Sequence, residues 1–471
     1  MDRLNTLDAE FLHLEDGIVH MHIAGACIFS DPPPTIEELT ALIGSKLHLI
    51  PRYRQRVRQV PFELGRPVWV DDPHFEIGYH VRHAALPAPG TDASFCHLMG
   101  RLMSQPLDRQ RPLWETWLVE GLEGGRWALI FKIHHCMVDG IAGVGLLTVL
   151  LDAEPLVSPA PAEPWEPTPE PAGAVKVLDA WAGLAGDAMN LAGRLPAAIA
   201  HPGTTLRTLT GTLQGMGRLT ARMRSTPALS IEGRIGPHRR WAHSSVGLGD
   251  VKAIGSAFDS TVNDVVLAAV SGGYRQLIES RGENPDEAVV RSLVPVSTRH
   301  DDGRGVPDNR VTLLLYELPV GVADPVERLS LVHEQMADLK GSHMAEAGEV
   351  MTTLGNLAPP MVVAPVSWAA IRAMHQLPQR SINTVTTNVP GPQFPLYCLG
   401  REMAEYLPFV PISHGVRVST AILSYNGRVS FGITGDFATA PDVGLLASAT
   451  VSEIEVLRQQ ALTGPATRVS H

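Results

Sequence analysis

Cysteine is scarce in this chain: Cys27, Cys96, Cys136 and Cys398 are the four in 471 residues. They stand too far apart for a C-x-x-C clamp and are too few to staple a fold of this length. That excludes a disulfide scaffold and makes a reducing cytoplasm the simplest setting. Basic residues are in deficit, with 38 Lys and Arg against 49 Asp and Glu and a net charge of −11, so the chain as a whole has no long-range attraction for nucleic acid. The first ten residues carry Asp2, Asp8 and Glu10 where an export signal carries basic residues and an apolar run, so no export is expected. Long apolar runs are missing too. The nearest to the roughly 18 residues a membrane span needs is 361–374, short and broken by Pro365 and Ser367. The protein is expected to lie on a membrane at most, not to cross it. No short-period repeat is present.

What is there is globular: apolar residues make up 44% and charged residues 18%, and the length suits two or three domains at roughly 100–200 residues each. The strongest break in composition is residues 155–171, where seven prolines alternate with Glu, Ala and Thr. Proline at that density removes backbone donors and favours extended, solvated chain, so this stretch reads as a linker. The expected organisation is an N-terminal domain over 1–152, a proline-rich and helical segment over 153–240, and a C-terminal domain over 241–471. Within the middle segment Leu206, Leu209, Leu213, Met216, Leu219 and Met223 fall on one helical stripe. From 175 to 240 there are nine basic residues against three acids. Such a stripe either packs between domains with its arginines in solvent, or lies on an anionic lipid surface.

Elsewhere the pattern alternates. Residues 127–135 have the apolar density of a strand, 140–151 and 261–281 read as helices, and 416–424 and 429–435 read as strands joined by Asn426-Gly427, a dipeptide suited to a type I′ turn. The class is α/β or α+β.

The run His134-His135-Cys136-Met137-Val138-Asp139-Gly140 sits where that first strand meets a helix. Strand alternation puts Trp127, Leu129, Phe131, Ile133 and His135 on one face and Ala128, Ile130, Lys132 and His134 on the other. His135 continues the apolar face. A histidine there is suited to general-base work, because its ordinary pKa of about 6.5 lies near working pH and burial keeps a nitrogen free to accept a proton. His134 reads as an orienting or structural neighbour. Cys136 is a poor nucleophile candidate, since adjacent strand residues diverge and His135 is badly placed to activate it. Zinc is disfavoured here for the same reason. Asp139 is either a first-turn helix acid or, by preference, a structural ion-pair partner that sets the loop.

With these residues in view the chain resembles the bacterial wax ester synthase/acyl-CoA:diacylglycerol acyltransferases, the mycobacterial triacylglycerol synthases in particular. His134 to Gly140 meets the family's H-H-x-x-x-D-G signature, Pro112-Leu113-Trp114 its P-L-W motif and Asn263-Asp264 its N-D motif. Leu7-Asp8, Met21-His22-Ile23, Pro295 to Arg299, Asp308 to Val311 and Asn388-Val389-Pro390-Gly391-Pro392 add to the resemblance. It implies the two-domain fold of chloramphenicol acetyltransferase and of peptide-synthetase condensation domains, with a tunnel between the domains. It also implies His135 as the base that deprotonates a diacylglycerol hydroxyl for direct attack on a long-chain acyl-CoA, with His134, Asp139 and Gly140 around it. A long-chain alcohol is the alternative acceptor, giving wax ester. Acyl-CoA is then a co-substrate, and no cofactor or metal is expected. Peripheral association with the inner membrane face or lipid droplets follows from the oily substrates.

The remaining motifs also have plain structural readings. Thr261 or Asn263 is placed to cap a helix, and Asn263 equally to face a developing oxyanion. Pro112-Leu113-Trp114 reads as a packed turn, Asn388 and the residues after it as a rigid turn near substrate, and Arg299 as a candidate partner for Asp139. The rival functions are a condensation-type acyltransferase fed by a carrier protein and a catalytically silent lipid-binding protein.

Overall fold

The computed structural model describes residues 2–61, 64–137, 147, 149–155, 163–183, 227–297, 311–341 and 380–464. Two six-stranded sheets form the frame. Their strands, in chain order, are β1 (His22–Phe29), β2 (Val81–Ala85), β3 (Trp114–Leu122), β4 (Arg126–His134), β5 (Arg239–Gly247), β6 (Val290–Ser297), β7 (Val311–Leu318), β8 (Thr384–Pro390), β9 (Tyr397–Cys398), β10 (Arg401–Phe409), β11 (Val418–Tyr425) and β12 (Arg428–Asp436). The first sheet has the order β9-β10-β1-β4-β3-β2 and the second β7-β6-β8-β11-β12-β5. With helices on the sheets, the class is the expected mixed α/β fold.

Parallel neighbours need a long crossover, and two of these crossovers shape the molecule. β2 runs parallel to β3, and α3 (Asp92–Met103) lies between them in the chain; the helices before it are α1 (Thr6–Leu14) and α2 (Ile36–Lys46). β8 runs parallel to β11, and the chain between them leaves the second sheet to add β9 and β10 to the edge of the first. β10 then packs against β11 and β12, and this contact joins the sheets. Gly432 on β12 makes it close: a Cβ there would stand 1.7 Å from the Pro408 carbonyl oxygen, which also accepts the Trp241 indole N–H at 3.2 Å.

The alternation of residues 127–133 puts both faces of β4 in apolar surroundings. Trp127, Leu129, Phe131 and Ile133 pack with Leu39, Leu42 and Ile43 of α2. Ala128 and Ile130 pack with Phe95, Leu98, Met99 and Leu102 of α3. The strand stops one residue before the expected end, because the chain enters a 3-10 turn at His135, whose N–H still reaches the Met21 carbonyl of the β1 side. The second sheet carries α4 (Leu248–Ala257), α5 (Val262–Ser280), α6 (Pro325–Gly341) and α7 (Val443–Thr463), of which α5 is buried along most of its length. The helix expected at 261–281 is α5, and the expected hairpin is β11–β12 with Asn426 and Gly427 at φ 40° and 81°.

Part of the expected linker is described. Residues 163–171 have no helix or strand, yet they are tied to the first half of the chain. Trp165 meets Phe75 edge-on at 6.1 Å with the Arg54 guanidinium 5.1 Å from its ring, and Glu170 takes Arg56 and Arg58 at 3.3 Å each. Trp165 has apolar area to bury, and stiff proline-rich chain loses little entropy when pinned. Residues 173–183 are helical; the stripe from Leu206 to Met223, residues 361–374 and most of 140–151 lie outside the described residues. Among the described residues no single helix is long and apolar enough to cross a membrane.

Candidate active site

The two adjacent histidines end in different places. Beyond β4 the chain enters one 3-10 turn, His135–Met137, hung from both neighbouring segments. The His135 N–H donates to the Met21 carbonyl at 2.8 Å, and the His134 N–H to the Leu113 carbonyl at 2.9 Å. The half-buried His135 ring stacks on Phe11 of α1, centroids 4.0 Å apart. His134 is fully buried, and its Nδ1 accepts the Cys136 N–H at 3.1 Å, so its ring proton sits on Nε2.

That Nε2 faces Glu15, which closes α1 and organises the floor beneath the turn. The Glu15 carboxylate lies 3.6 Å from His134 Nε2 and 3.3 Å from His22 Nε2, and takes Arg109 through two hydrogen bonds at 2.8 and 3.0 Å. Burial opposes the charge on Glu15, but the adjoining His134 and His22 imidazoles outweigh it and hold the carboxyl far below its ordinary range. Burial pushes His22 down to about 3 and Lys132 down to about 8, the latter donating to the Leu102 carbonyl at 2.9 Å. Cys136 is buried against Leu4, Leu12 and Leu113, and burial pushes its thiol well up, which removes it as a nucleophile.

Acid stability follows from this floor. His22 has a folded pKa below its ordinary 6.5, so unfolding takes up a proton between those values; its stabilisation is present above pH 6.5 and lost as pH falls toward 3. His20 and His80 are displaced the same way by burial. Glu15 adds a second loss below its ordinary 4.5. The melting temperature is expected to fall from about pH 6.5 downward, at roughly 1.4 kcal/mol per pH unit for each proton taken up. His22→Gln should flatten the arm between 6.5 and 4.5; an unchanged slope in a melting series would remove His22 from the account.

The other motifs fall into two groups. Pro112-Leu113-Trp114 supports the turn from behind: Leu113 gives its carbonyl to His134, and Trp114 is buried between His80 and Tyr53, donating from its indole to the Tyr53 carbonyl at 2.8 Å. Asn388 to Pro390 lie in the parallel-paired strand β8, not in the expected turn, and Asn388 meets Asn263, its Nδ2–H donating to Asn263 Oδ1 at 3.0 Å. Thr261, not Asn263, caps α5, in a capping box with Asp264. Asp264 also lies 2.8 Å from His333 of α6, so its carboxylate is occupied by structure. The second sheet's Val389 packs on the same apolar cluster as Ile23 and Met137. Asp139, Gly140 and Arg299 lie outside the described residues.

Phe11, Glu15 and Arg109 are site residues that the motif reading did not single out. A signal exists for one of them: Glu15, Asp16, His20 and His22 put two acids and two histidines within eight residues.

A family model described as the wax ester synthase/diacylglycerol acyltransferase catalytic domain matches residues 4–266, and one described as the WS/DGAT C-terminal domain matches residues 308–458. A Mycobacterium tuberculosis protein named as a probable diacylglycerol O-acyltransferase is 38% identical over 449 residues, covering 95% of this chain and 94% of its own. Among solved structures, the wax ester synthase/diacylglycerol acyltransferase from Marinobacter aquaeolei VT8 superposes with a TM-score of 0.68 at 25% identity, over 98% of this chain and 99% of that one. The first condensation domain of the calcium-dependent antibiotic synthetase shares the fold, with a TM-score of 0.60 at 16% identity over 98% of this chain and 97% of its own.

Proposed function

The chain belongs to the wax ester synthase/diacylglycerol acyltransferase family and is an acyltransferase, and on that premise we propose that it moves a long-chain acyl group from acyl-CoA to the free hydroxyl of diacylglycerol with His135 as general base. His135 takes the hydroxyl proton as the oxygen attacks the thioester carbonyl. The carbon–sulfur bond breaks as the ester forms, and the imidazolium returns the proton to the leaving CoA thiolate, giving triacylglycerol and CoA. No acyl-enzyme, metal or cofactor takes part. The observation that carries the assignment is the division of labour between the histidines: His134 is fully buried with its Nδ1 taken by the Cys136 N–H and its Nε2 facing Glu15, whereas His135 stands on the turn against Phe11.

Asn263 is assigned to the oxyanion. With its Oδ1 engaged by Asn388, its Nδ2–H is the group left to donate, the polarity a developing negative charge requires. The acyl chain runs in a tunnel between the two halves of the molecule. Product analysis of purified protein with acyl-CoAs against diacylglycerol and long-chain alcohols tests the reading. Triacylglycerol from acyl-CoA alone is expected, with wax ester as a side product; a requirement for an acyl carrier protein, or no ester at all, would overturn it.

The oily acceptor demands an encounter with lipid, and the proposed docking element is the basic, apolar sequence 204–224. Each basic side chain near an anionic surface contributes about 1 kcal/mol, screened by salt. Changing Arg207, Arg218, Arg222 and Arg224 to Gln is expected to abolish co-sedimentation with anionic vesicles. Equal binding by both proteins would move the contact to residues 361–374.

A further inference from the structure

Asp92, Cys96 and His243 converge at the contact between α3 of the first sheet and β5 of the second, and none of them belongs to the site above. Asp92 is the first residue of α3 and Cys96 lies one turn on, so both side chains project from the same face. His243, on β5 opposite Gly432, closes the group from the other sheet. Its Nε2 is 2.7 Å from Asp92 Oδ1, Cys96 Sγ is 3.7 Å from Asp92 Oδ2, and the three donor atoms all lie within 4.8 Å of one another. We infer that these three side chains form a zinc-binding site that clamps α3 to β5.

The donor chemistry selects the ion. Calcium and magnesium take oxygen ligands, whereas one thiolate, one imidazole and one carboxylate make the mixed, borderline-soft set that suits zinc. Metal–ligand distances of about 2.0–2.3 Å in a tetrahedral site put neighbouring donors about 3.3–3.8 Å apart. The Cys96 Sγ–Asp92 Oδ2 separation is already in that range, and on the other oxygen the His243 Nε2–Asp92 Oδ1 pair is about 0.7 Å too close, so a rotation of the exposed Asp92 carboxylate has to bring one oxygen between both donors as the ion replaces their hydrogen bond. The Asp92 side chain is 63% exposed, so the fourth position opens to solvent and takes water. Burial pushes the Cys96 thiol up, and the ion has to displace its proton.

An ion here bridges the helix covering one sheet and the edge strand of the other, away from the reacting groups. Full-length protein, reduced and stripped with chelator, is dialysed against zinc chloride, and cobalt(II) is used as the spectroscopic substitute. The expected result is one zinc per chain, a thiolate-to-cobalt charge-transfer band, and a melting temperature raised by zinc. Cys96→Ser should lose the band, and both Cys96→Ser and the surface variant Asp92→Asn should lose the zinc at a concentration that saturates the wild type. Failure of the wild type to bind stoichiometric zinc, or a band that survives in Cys96→Ser, would overturn the site and leave a His243–Asp92 hydrogen bond beside an ordinary thiol. Both readouts report on the ion alone, so they stand whatever acyl donor or acceptor the enzyme uses.

Discussion

His135→Ala is expected to lower turnover of folded enzyme by about 10²–10⁴-fold, the range a positioned general base supplies. The ring it removes is half-buried and stacked on Phe11, a contact worth about 1 kcal/mol, so the melting temperature should move little. His134→Ala should behave in the opposite way. It takes the acceptor from the Cys136 N–H and leaves the Glu15 carboxylate, buried with His22, short of one partner. The buried Cys136 N–H left without its acceptor costs about 1–3 kcal/mol, so that variant should melt early while its folded fraction keeps more activity than His135→Ala. Steady-state rates and thermal melts on both proteins make the comparison. Retention of more than about a tenth of the wild-type rate by His135→Ala would remove it as the base. A dead but fully stable His134→Ala would exchange the two roles.

Local chemistry made much of this fold legible. Alternation from Trp127 marked a strand with one purely apolar face, which the structure covers on both sides, and Asn426-Gly427 marked a turn needing two positive φ values. Thr261, three residues before Asp264, carried a capping box. β4 ends at His134, one residue short of the expected 135, because a 3-10 turn starts at His135 although its N–H still meets the Met21 carbonyl, a tertiary detail with no signal in the alternation. The pairing of β10 with β1, Ala24 opposite Phe409, is longer still in range and has no local signature at all. The site divides along the same line. The H-H-x-x-x-D-G run announces itself as a contiguous motif, whereas the contact that orients His134 comes from Glu15, and the pairing of Asn263 with Asn388 joins α5 to β8. Side chains that act through distant partners leave only their residue type in the sequence, and an isolated Glu or Asn has many ordinary explanations.

The Asn263–Asn388 pair offers a clean separation of charge stabilisation from structure. Asn263→Asp keeps the size of the side chain and an oxygen to accept the Asn388 N–H, and it places an acid in the first turn of α5, where the helix dipole favours one. Stability should therefore hold. What is lost is the Nδ2–H donor, replaced by an oxygen that repels the developing oxyanion, so kcat is expected to fall by at least about 10²–10³-fold with KM for acyl-CoA nearly unchanged. Asn388→Ala leaves the donor in place but releases its orientation, and one hydrogen bond of about 1 kcal/mol predicts a loss nearer fivefold. Because Asn388 acts through Asn263, adding Asn388→Ala to Asn263→Asp should cost no further activity. Activity in Asn263→Asp near that of the wild type, or a loss confined to KM, would take Asn263 away from the oxyanion. Full additivity in the double variant would instead give Asn388 its own contact with substrate.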